Sequence, residues 1–501
     1  MNFYQVFEDT LSRHWDRTAL FQRQQTLTFR DLGKLVRLLS NRFLEVGIGD
    51  RTKVAIMLSN TIGFVASFLA LCRCKAIPVL FDYTGTNDEL RLIFIESQCD
   101  VILTCQTHHP SILKELDGWT ITASLVPIDF IEGESLVILL LDKKKYSDSV
   151  YKNIDCKNQA LLQFTSGTTG TPKCVVRTHE NLINTAINFV STIGYQSTDR
   201  IVCTTPFHHA YALNTCLLSS IYIGAELILP EGFNPIEILR IIGEQRVSVL
   251  VSIPYLYRFL TIFRPNNKLS IYPLRLCISG GGVSLSADIA KAFMERFNLL
   301  PIQVYGSTET AEITIHKELP HENGLSNGIP LSNVELKVVA SDGKDVAVYE
   351  TGEIVVRSKA VFPGYNHASN KNISAFKDGW YYTGDFGFID EKQRLNIIGR
   401  KRASISVSGK KVDPKEVENV LNSHPKVKKA VIVGHKDAIH GEILKAIVIT
   451  KKKCRSTDLI KFCQKQLSPH KIPKIFDFRE HLPMSATGKI QLKKLIDLPK
   501  L

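Results

Sequence analysis

Short β-rich runs alternate with longer runs of helical apolar spacing through the first half of the chain. Residues 53–58 and 76–81 have the composition of buried strands, and residues 62–72 between them form an apolar run of helical length. Residues 28–46 carry apolar side chains at helical spacing and are followed by Gly47. Strands connected by crossover helices pair in parallel. The alternation therefore predicts an α/β fold built on a mostly parallel sheet.

The pattern changes twice in the second half. Residues 334–398 form short alternating runs separated by turns, which is typical of antiparallel strands. After Gly399 the chain is Lys-rich and α+β in character, with a helix and two strands predicted near residues 414–422, 430–433 and 445–450. The chain has 501 residues, more than one core usually holds. We therefore predict two domains, residues 1–400 and 401–501.

Membrane insertion and secretion are not indicated. The most apolar stretch, residues 211–229, contains Asn214 and Glu226, so it predicts a buried helix followed by a buried strand rather than a membrane span. The first ten residues carry Glu8 and Asp9 and do not resemble a signal peptide. None of the eleven cysteines forms a CxxC pair. Reduced cysteines packed as small apolar side chains predict a cytoplasmic protein without a transmembrane segment.

The positive charge of the chain is confined to its last fifth. The formal net charge is +13, but residues 401–501 hold 23 Lys and Arg against 9 Asp and Glu, whereas residues 1–400 hold 39 against 40. The Lys runs lack interleaved aromatic residues, and the chain has no recognisable nucleic-acid-binding module, so nucleic acid is not the expected partner. Two interpretations remain open, a solvated Lys-rich surface and a domain that attracts a polyanionic ligand.

The segment 162–173, LQFTSGTTGTPK, predicts a phosphate-binding loop. Glycines let backbone N–H groups approach phosphate oxygens, hydroxyls add donors, and a lysine neutralises charge. The GxxxxGK[ST] spacing of a Walker A loop is absent. A plain surface turn is the alternative, but it would not need so many hydroxyls ending in a lysine.

Four further segments carry polar groups suited to nucleotide chemistry. The segment VYGSTE ends in Glu309, a carboxylate of the kind that binds Mg²⁺ beside phosphates. The segment WYYTGD ends in Asp385, which either accepts the two hydroxyls of a ribose or caps a turn. Gly399 precedes Arg400, whose guanidinium suits ribose or phosphate. The segment SATGK presents Lys489 near the C-terminus.

These five segments, in this order, resemble the adenylate-forming superfamily of acyl-CoA synthetases, adenylation domains and luciferases. The resemblance runs from Leu162 to Lys489. It implies a large N-terminal domain of two α/β subdomains plus a β-barrel, with a small mobile α+β C-terminal domain. It also implies a two-step ligase reaction. A carboxylate attacks the α-phosphate of ATP to give acyl-AMP and pyrophosphate, and a thiol then attacks the acyl-AMP to give a thioester and AMP.

The resemblance assigns a role to each segment. The β- and γ-phosphates would be held by Thr165, Ser166, Gly167, Thr168, Thr169 and Lys173. The adenosine would be bound by Gly281, Gly282, Tyr305, Asp385 and Arg400. The catalytic residues would be Lys489, which stabilises charge in adenylation, Thr308 at the α-phosphate, and Glu309, the Mg²⁺ ligand. Attack of one anion on another needs cations and donors rather than a nucleophilic side chain.

The acid and the thiol are less closely defined by the sequence. The acid and thiol sites would include His209, Gly281, Val283, Gly306 and Gly409. The segment PFHHAYA has no Asp to pair with a substrate ammonium, so we expect a fatty or aryl acid rather than an amino acid. CoA is the expected thiol, which makes the chain an AMP-forming acyl-CoA synthetase, and loading of an acyl carrier protein is the alternative. The family's hinge usually holds Asp or Lys, whereas Arg402 stands at the aligned position here.

Overall fold

A computed structural model describes most of the chain. The described residues are 1–84, 87–105, 121–124, 129–131, 134–141, 158–165, 173–263, 271, 273–282, 285–318, 326–366, 375–400, 405–408, 410–412, 414–437 and 441–480. They form two compact units. The larger unit comprises the described residues of Met1–Asp82, Ile93–Thr165 and Cys174–Gly399. The smaller unit contains those of Tyr83–Leu92 and Arg400–Leu501, together with Lys173.

The larger unit contains a 14-stranded mixed sheet. Across the sheet its strands are Glu335–Val339, Gly352–Arg357, Trp380–Ile389, Leu395–Arg400, Ser326–Pro330, Ala311–His316, Ile302–Ser307, Leu276–Ser279, Val249–Ser252, Arg200–Cys203, Glu226–Ile228, Thr18–Gln22 and Gln25–Thr28, with Phe376–Lys377 paired to Trp380–Ile389. The strands from Ile302–Ser307 to Thr18–Gln22 pair in parallel. This block confirms the parallel sheet expected from the alternation of strand and helix runs.

A second sheet of the larger unit has nine strands. Across the sheet they are Gly364–Tyr365, Lys173–Thr178, Gln159–Thr165, Ile77–Leu80, Lys53–Met57, Val101–Cys105, Glu134–Leu141 and Ile121–Ser124, with Asp129–Ile131 paired to Glu134–Leu141. Lys53–Met57 and Ile77–Leu80 pair in parallel, as the sequence predicted. Their side chains are almost all buried, as expected for strands covered on both faces.

One helix precedes the first strand, and the others occur between the strands of the two sheets and in the smaller unit. In chain order they are Phe3–Arg13, Phe29–Glu45, Ile62–Arg73, Asn87–Ser97, His179–Ile193, Ala210–Ala212, Ser219–Ile223, Pro235–Glu244, Pro254–Ile262, Ala287–Phe297, Pro414–Ser423 and Ser456–Gln464. The helix Phe29–Glu45 shows why they form. Thr28 and Asp31 cap its first turn reciprocally, and its apolar face, including Leu32, Val36 and Leu39, is buried.

A π-helical turn interrupts the helix that follows residue 209. Leu213–Leu218 adopts this conformation between the α-helical segments Ala210–Ala212 and Ser219–Ile223. The helix then ends at Gly224, whose φ of 80° is left-handed, and the strand Glu226–Ile228 follows. The buried helix and strand predicted over residues 211–229 are therefore confirmed. Single π turns are frequent at functional sites.

The predicted β-barrel is not formed. The antiparallel strands expected between residues 334 and 398 are present, but they extend one edge of the large sheet in an open order. A barrel requires the outermost strands to pair with each other. In the described part of the chain, Glu335–Val339 ends the sheet on one side and Gln25–Thr28 ends it on the other. The α/β class is correct, and the barrel prediction is wrong for these residues.

The smaller unit is a compact α+β structure after residue 400. Its sheet contains Lys410–Val412, Ile405–Val407, Gly441–Thr450, Val427–Asp437 and Ile475–Phe478. Val417 and Leu421 of the helix Pro414–Ser423 pack in one core with Leu459 and Cys463 of Ser456–Gln464. The helix and both strands predicted here from the sequence are present, with the strands longer than expected.

The described cysteines are free thiols, as predicted, and the predicted lack of a membrane span can be compared with the described helices. Ten cysteines are described, all as free thiols, and eight of these are buried. Burial raises the pKa of Cys72 and of Cys99 to about 12. Among the described residues, no helix has the length and apolar character needed to cross a bilayer.

Candidate active site

Several candidate site residues of the larger unit lie where parallel strands end. Leu276–Ser279 runs into Gly280–Gly282, and Ile302–Ser307 runs into the turn that carries Thr308 and Glu309. Arg200–Cys203, two strands away from Leu276–Ser279, leads to His208 and His209. In open α/β sheets, ligands bind outside the carboxyl ends of the strands. The topology therefore gathers segments that are about 100 residues apart in sequence.

Tyr211 fixes the backbone around the glycine segment. Its hydroxyl donates to the carbonyl oxygens of Ile278, at 2.8 Å, and Ser252, at 3.1 Å. A Cβ atom at Gly280 would lie 2.5 Å from Cε2 of the Tyr211 ring, so only glycine allows this approach. Gly281 and Gly282 have φ angles of 91° and 88°. These glycines are among the candidate site residues predicted from the sequence, but the sequence did not identify Tyr211 as the side chain beneath them.

Glu309 is held at the turn between two antiparallel strands. Its backbone carbonyl accepts from the N–H of Phe362, and its Oε1 accepts from the hydroxyl of Tyr365 at 2.8 Å. The described residues offer no donor to Oε2. One carboxylate oxygen is therefore held in place and the other is left for a ligand, which suits Mg²⁺, a cation that takes one or two carboxylates and completes its shell with phosphates and water.

Tyr365 is a supporting residue that sequence reasoning missed. It is buried and its hydroxyl lies 3.3 Å from that of Tyr381. Burial, and then the charge of Glu309, raise the pKa of Tyr365, so the phenol stays protonated and remains a donor. Its segment has no motif of its own, and the partner carboxylate is 56 positions away.

The sequence predicted a turn at Asp385, but the residue lies at a bulge inside a strand. The strand Trp380–Ile389 pairs with Gly352–Arg357, and the register slips between Tyr382 and Phe386. Gly384, with φ of 73°, takes the left-handed conformation that the bulge requires. A bulge changes the direction in which neighbouring side chains point, here including that of Asp385.

Tyr305 and Asp385 are brought into direct contact. The hydroxyl of Tyr305 donates to Oδ2 of Asp385 at 2.7 Å. Two residues assigned to adenosine from separate motifs therefore meet in one hydrogen bond. Thr308 and Glu309 follow Tyr305 within four residues, at the end of the same strand.

The histidine pair lies at the start of the interrupted helix. The rings of His208 and His209 are 4.3 Å apart, and the carbonyl oxygen of His208 accepts from Nε2 of Gln163 at 2.8 Å. His209 is the N-cap residue of Ala210–Ala212. Gln163 belongs to the strand that ends at Thr165, so the phosphate-loop strand is tied to the histidine segment.

Several predicted residues lie outside the described part of the chain. These are Ser166, Gly167, Thr168, Thr169, Val283, Arg402, Gly409 and Lys489. Thr165 ends one strand and Lys173 begins the strand beside it, so the predicted loop is flanked by neighbouring strands. Arg400 is the last residue of Leu395–Arg400.

A buried charged network adjoins this region. Arg177 donates from Nη1 to Oδ1 of Asn214 and from Nη2 to Oγ1 of Thr185, each at 2.8 Å. Asn214 donates in turn to Oε1 of Glu312 at 3.4 Å. Burial raises the pKa of Glu312 to about 7 and lowers that of Arg177 to about 10. A charged residue in the buried part of each of two strands was the available signal, and sequence reasoning passed over it.

Comparison with known proteins decides the family. The sequence profile described as AMP-binding enzyme matches residues 7–366, and the profile for the AMP-binding enzyme C-terminal domain matches residues 416–489. The chain belongs to the AMP-binding enzyme family. The resemblance inferred from the five sequence segments is thereby confirmed, together with a fold of a large N-terminal and a small C-terminal domain.

Relatives within the family cover nearly the whole chain. A long-chain-fatty-acid–CoA ligase of Bacillus subtilis is 28% identical over 98% of this chain and 93% of its own length. An oxalate–CoA ligase of Arabidopsis thaliana is 28% identical over 97% of this chain and 96% of its own. The solved structure of an amide bond synthetase from Marinactinospora thermotolerans, 23% identical, superposes with a TM-score of 0.85 over 99% of both chains. This last likeness shows the shared fold.

Proposed function

We propose that the protein activates a carboxylic acid with ATP and transfers the acyl group to CoA. An oxygen of the acid attacks the α-phosphorus of ATP, the bond to pyrophosphate breaks, and acyl-AMP forms. The CoA thiol then attacks the acyl carbon, loses its proton and releases AMP. The observation that carries this proposal is the Tyr305–Asp385 contact beside Glu309, which fits a nucleoside and its phosphates at one sheet edge.

Each residue of that edge suits one part of ATP. Asp385, already accepting from Tyr305, has the acceptor capacity for ribose hydroxyls. The Tyr305 ring provides an apolar face for a base. Glu309 would hold Mg²⁺, which neutralises phosphate charge when bound. Thr308 would donate to the α-phosphate, while Thr165, Lys173 and the loop between them would bind the β- and γ-phosphates.

The remaining roles belong to residues near the predicted domain boundary and beyond it. We propose that residues 1–400 and 401–501 act as two domains, with Arg402 at the hinge and Arg400 at the ribose. Lys489 would bring its ammonium to the carboxylate and the α-phosphate during adenylation, because negative charge accumulates there. Gly409 would line the path of the thiol.

CoA is favoured as the acceptor because the relatives named above include two CoA ligases. The excess of cations in residues 401–501 would attract the CoA phosphates. It would also attract an acidic carrier protein, which remains the alternative acceptor. A reduced, cytoplasmic setting suits the ten free cysteines.

The acid is proposed to be fatty or aryl. His209, Gly281, Val283 and Gly306 would contact it, and Tyr211 would form the wall beneath the glycines. The names of the two relatives, one for a long-chain fatty acid and one for oxalate, span very different acids. The proposal of a fatty or aryl tail is based on the small and apolar residues of this region.

A panel of carboxylic acids tests the proposal. Pyrophosphate release is measured with ATP and Mg²⁺ for each acid, first without a thiol, then with CoA, then with an acyl carrier protein. We expect acid-dependent pyrophosphate release and an acyl-CoA product identified by mass. Release without dependence on any acid, or transfer to the carrier protein alone, would contradict the proposal at its first or second step.

A further inference from the structure

Glu312 has a carboxylate oxygen that nothing in the described chain satisfies. The residue is 6% exposed, and its Oε2 is buried without a hydrogen-bond partner. Most buried polar atoms in proteins are paired, because an unpaired one loses its hydration without replacement. A carboxylate is among the most costly groups to leave in that state. A hydrogen-bond donor from outside the described chain would satisfy this oxygen.

A buried cation, Arg177, lies near Glu312 and opposes its charge when the carboxylate is ionised. Arg177, which is 1% exposed, lies on the far side of Asn214, and the Asn214 amide accepts from Arg177 and donates to Oε1 of Glu312. Both hydrogen bonds of the Arg177 guanidinium that the structure describes go to neutral side chains, Asn214 and Thr185. One buried cation and one buried carboxylate thus share a region without a direct ion pair. The pair is neutral overall, and Oε2 remains open.

Glu312 is close to the residues assigned to the acid. It is the register partner of Gly306 on the neighbouring strand. Asn214, which contacts Glu312, lies one turn of helix from Tyr211. A Cβ atom at Gly280 would meet both the Tyr211 ring and Cγ2 of Val304. Glu312, Tyr211 and Val304 therefore belong to one side of the sheet. Asn214 lies in the π turn, and its side chain contacts the strand through Glu312.

We propose that Oε2 of Glu312 accepts a hydrogen bond from a neutral donor, a hydroxyl or an amide N–H, on the tail of the carboxylic acid. This inference rests on the proposed function, since it assumes that an acid binds between Tyr211 and Gly306. The donor is neutral because Arg177 already balances the carboxylate. An ammonium would leave one positive charge in excess in a buried region, and such a charge is costly. The acid is accordingly polar at one point of its tail.

A buried water is the competing occupant of the position beside Oε2. Waters commonly satisfy buried polar groups that the chain leaves open. If a water occupies this position, Glu312 does not affect which acid is used. If the substrate supplies the donor, the enzyme prefers acids that carry it over acids that lack it. A site built to pair with a hydroxyl rejects an analogue that lacks it, because its acceptor is then left unpaired.

Matched pairs of acids separate the two cases. The two members of each pair share one carbon skeleton, and one carries a hydroxyl where the other carries the methyl ether. One aryl and one alkyl series are used, and kcat/KM is measured by pyrophosphate release at pH 8. In at least one series we expect the wild type to prefer the hydroxyl acid by about 10-fold or more. Glu312→Gln, which keeps the shape but presents an amide, should abolish that preference. If a water occupies the position, the wild type should show equal kcat/KM for both members of every pair. That result overturns the proposal, and it can be obtained even if no variant folds.

Thr185→Val is the matched control. It removes a partner of Arg177 in the same network but leaves Oε2 unchanged, so the hydroxyl preference should persist. Its loss in this variant would overturn the assignment to Glu312. An acid with an ammonium in place of the hydroxyl should be used less well, and a preference for it would overturn the neutral donor. If no acid gives pyrophosphate, the proposed function fails, which is a separate outcome.

Discussion

The hydroxyl of Tyr305 donates a 2.7 Å hydrogen bond to Oδ2 of Asp385, which lies 80 positions later in the chain. One strand of the parallel block and one strand of the antiparallel extension are thus joined at the candidate nucleotide site. The bond fixes the plane of the aromatic ring and takes one lone pair of the carboxylate. Both residues are therefore oriented in advance, which would lower the entropic cost of the proposed nucleotide binding.

Loss of that hydrogen bond should weaken ATP binding more than turnover. Tyr305→Phe keeps the ring and removes the donor, so the ring and Asp385 lose their mutual orientation. We expect the KM for ATP to rise about 10-fold, since one hydrogen bond to a charged group contributes about 1.5 kcal/mol. Pyrophosphate release at varied ATP measures the change, and an unaltered KM would show that the bond does not prepare the site.

Glu309 and Tyr365 should differ in their effect on the magnesium requirement. Glu309→Gln removes the charge that the cation needs, so turnover should fall at least 100-fold and respond poorly to added Mg²⁺. Tyr365→Phe leaves the carboxylate but releases its Oε1, so the half-saturating Mg²⁺ concentration should rise only several-fold. A titration of Mg²⁺ at fixed ATP compares both variants with wild type. Wild-type behaviour of Glu309→Gln would exclude the metal role.

Lys489 should act in one half-reaction only. Lys489→Ala removes the cation expected at the α-phosphate, so acyl-AMP formation should fall by at least 100-fold. Thiolysis of acyl-AMP supplied from outside should stay within a few-fold of wild type, because the proposed role of Lys489 is to assist attack at the α-phosphorus, whereas the thiol attacks the acyl carbon. Separate assays of pyrophosphate release and of CoA consumption from preformed acyl-AMP distinguish the steps. An equal loss in both assays would contradict the assignment.

Glu312 should make stability depend on pH in a defined direction. Burial raises its pKa from 4.5 to about 7, so the folded protein holds this proton more tightly than the unfolded chain does. Its effect on folding is therefore neutral below about pH 4.5 and becomes unfavourable as the pH rises through 7. The full penalty is roughly 3 kcal/mol.

Glu312→Gln isolates this penalty, because it cannot ionise. Urea midpoints of wild type and variant are compared at pH 5 and pH 8. The variant should gain relative stability at pH 8, and a difference that does not change with pH would mean that Glu312 titrates normally.

Local patterns predicted those parts of the fold that local forces decide. The helix Phe29–Glu45 follows from its apolar spacing and the Thr28 cap, and the strand Ile77–Leu80 follows from a short apolar run. The resemblance assigned Tyr305, Glu309 and the glycine segment to one nucleotide, and the parallel strands that precede them end at the same edge of the sheet.

Long-range partners were beyond the reach of such patterns. Tyr365 matters because of Glu309, and Arg177 because of Asn214, pairs separated by 56 and 37 positions. Asp385 was expected at a turn, since the bulge that aims it depends on the strand opposite. The barrel was expected by resemblance, and closure of a sheet depends on which edge strands meet.

The buried cysteines have a consequence for an enzyme that makes a mixed anhydride. Acyl-AMP acylates any thiolate it can reach, the enzyme's own included. Cys174, Cys203, Cys216 and Cys277 lie in the interior of the larger unit, and burial raises the pKa of Cys174, Cys216 and Cys277. A thiol that is neither exposed nor ionised is a poor nucleophile. In the proposed reaction, Cys174, Cys216 and Cys277 would therefore be protected from self-acylation and would not compete with the incoming thiol.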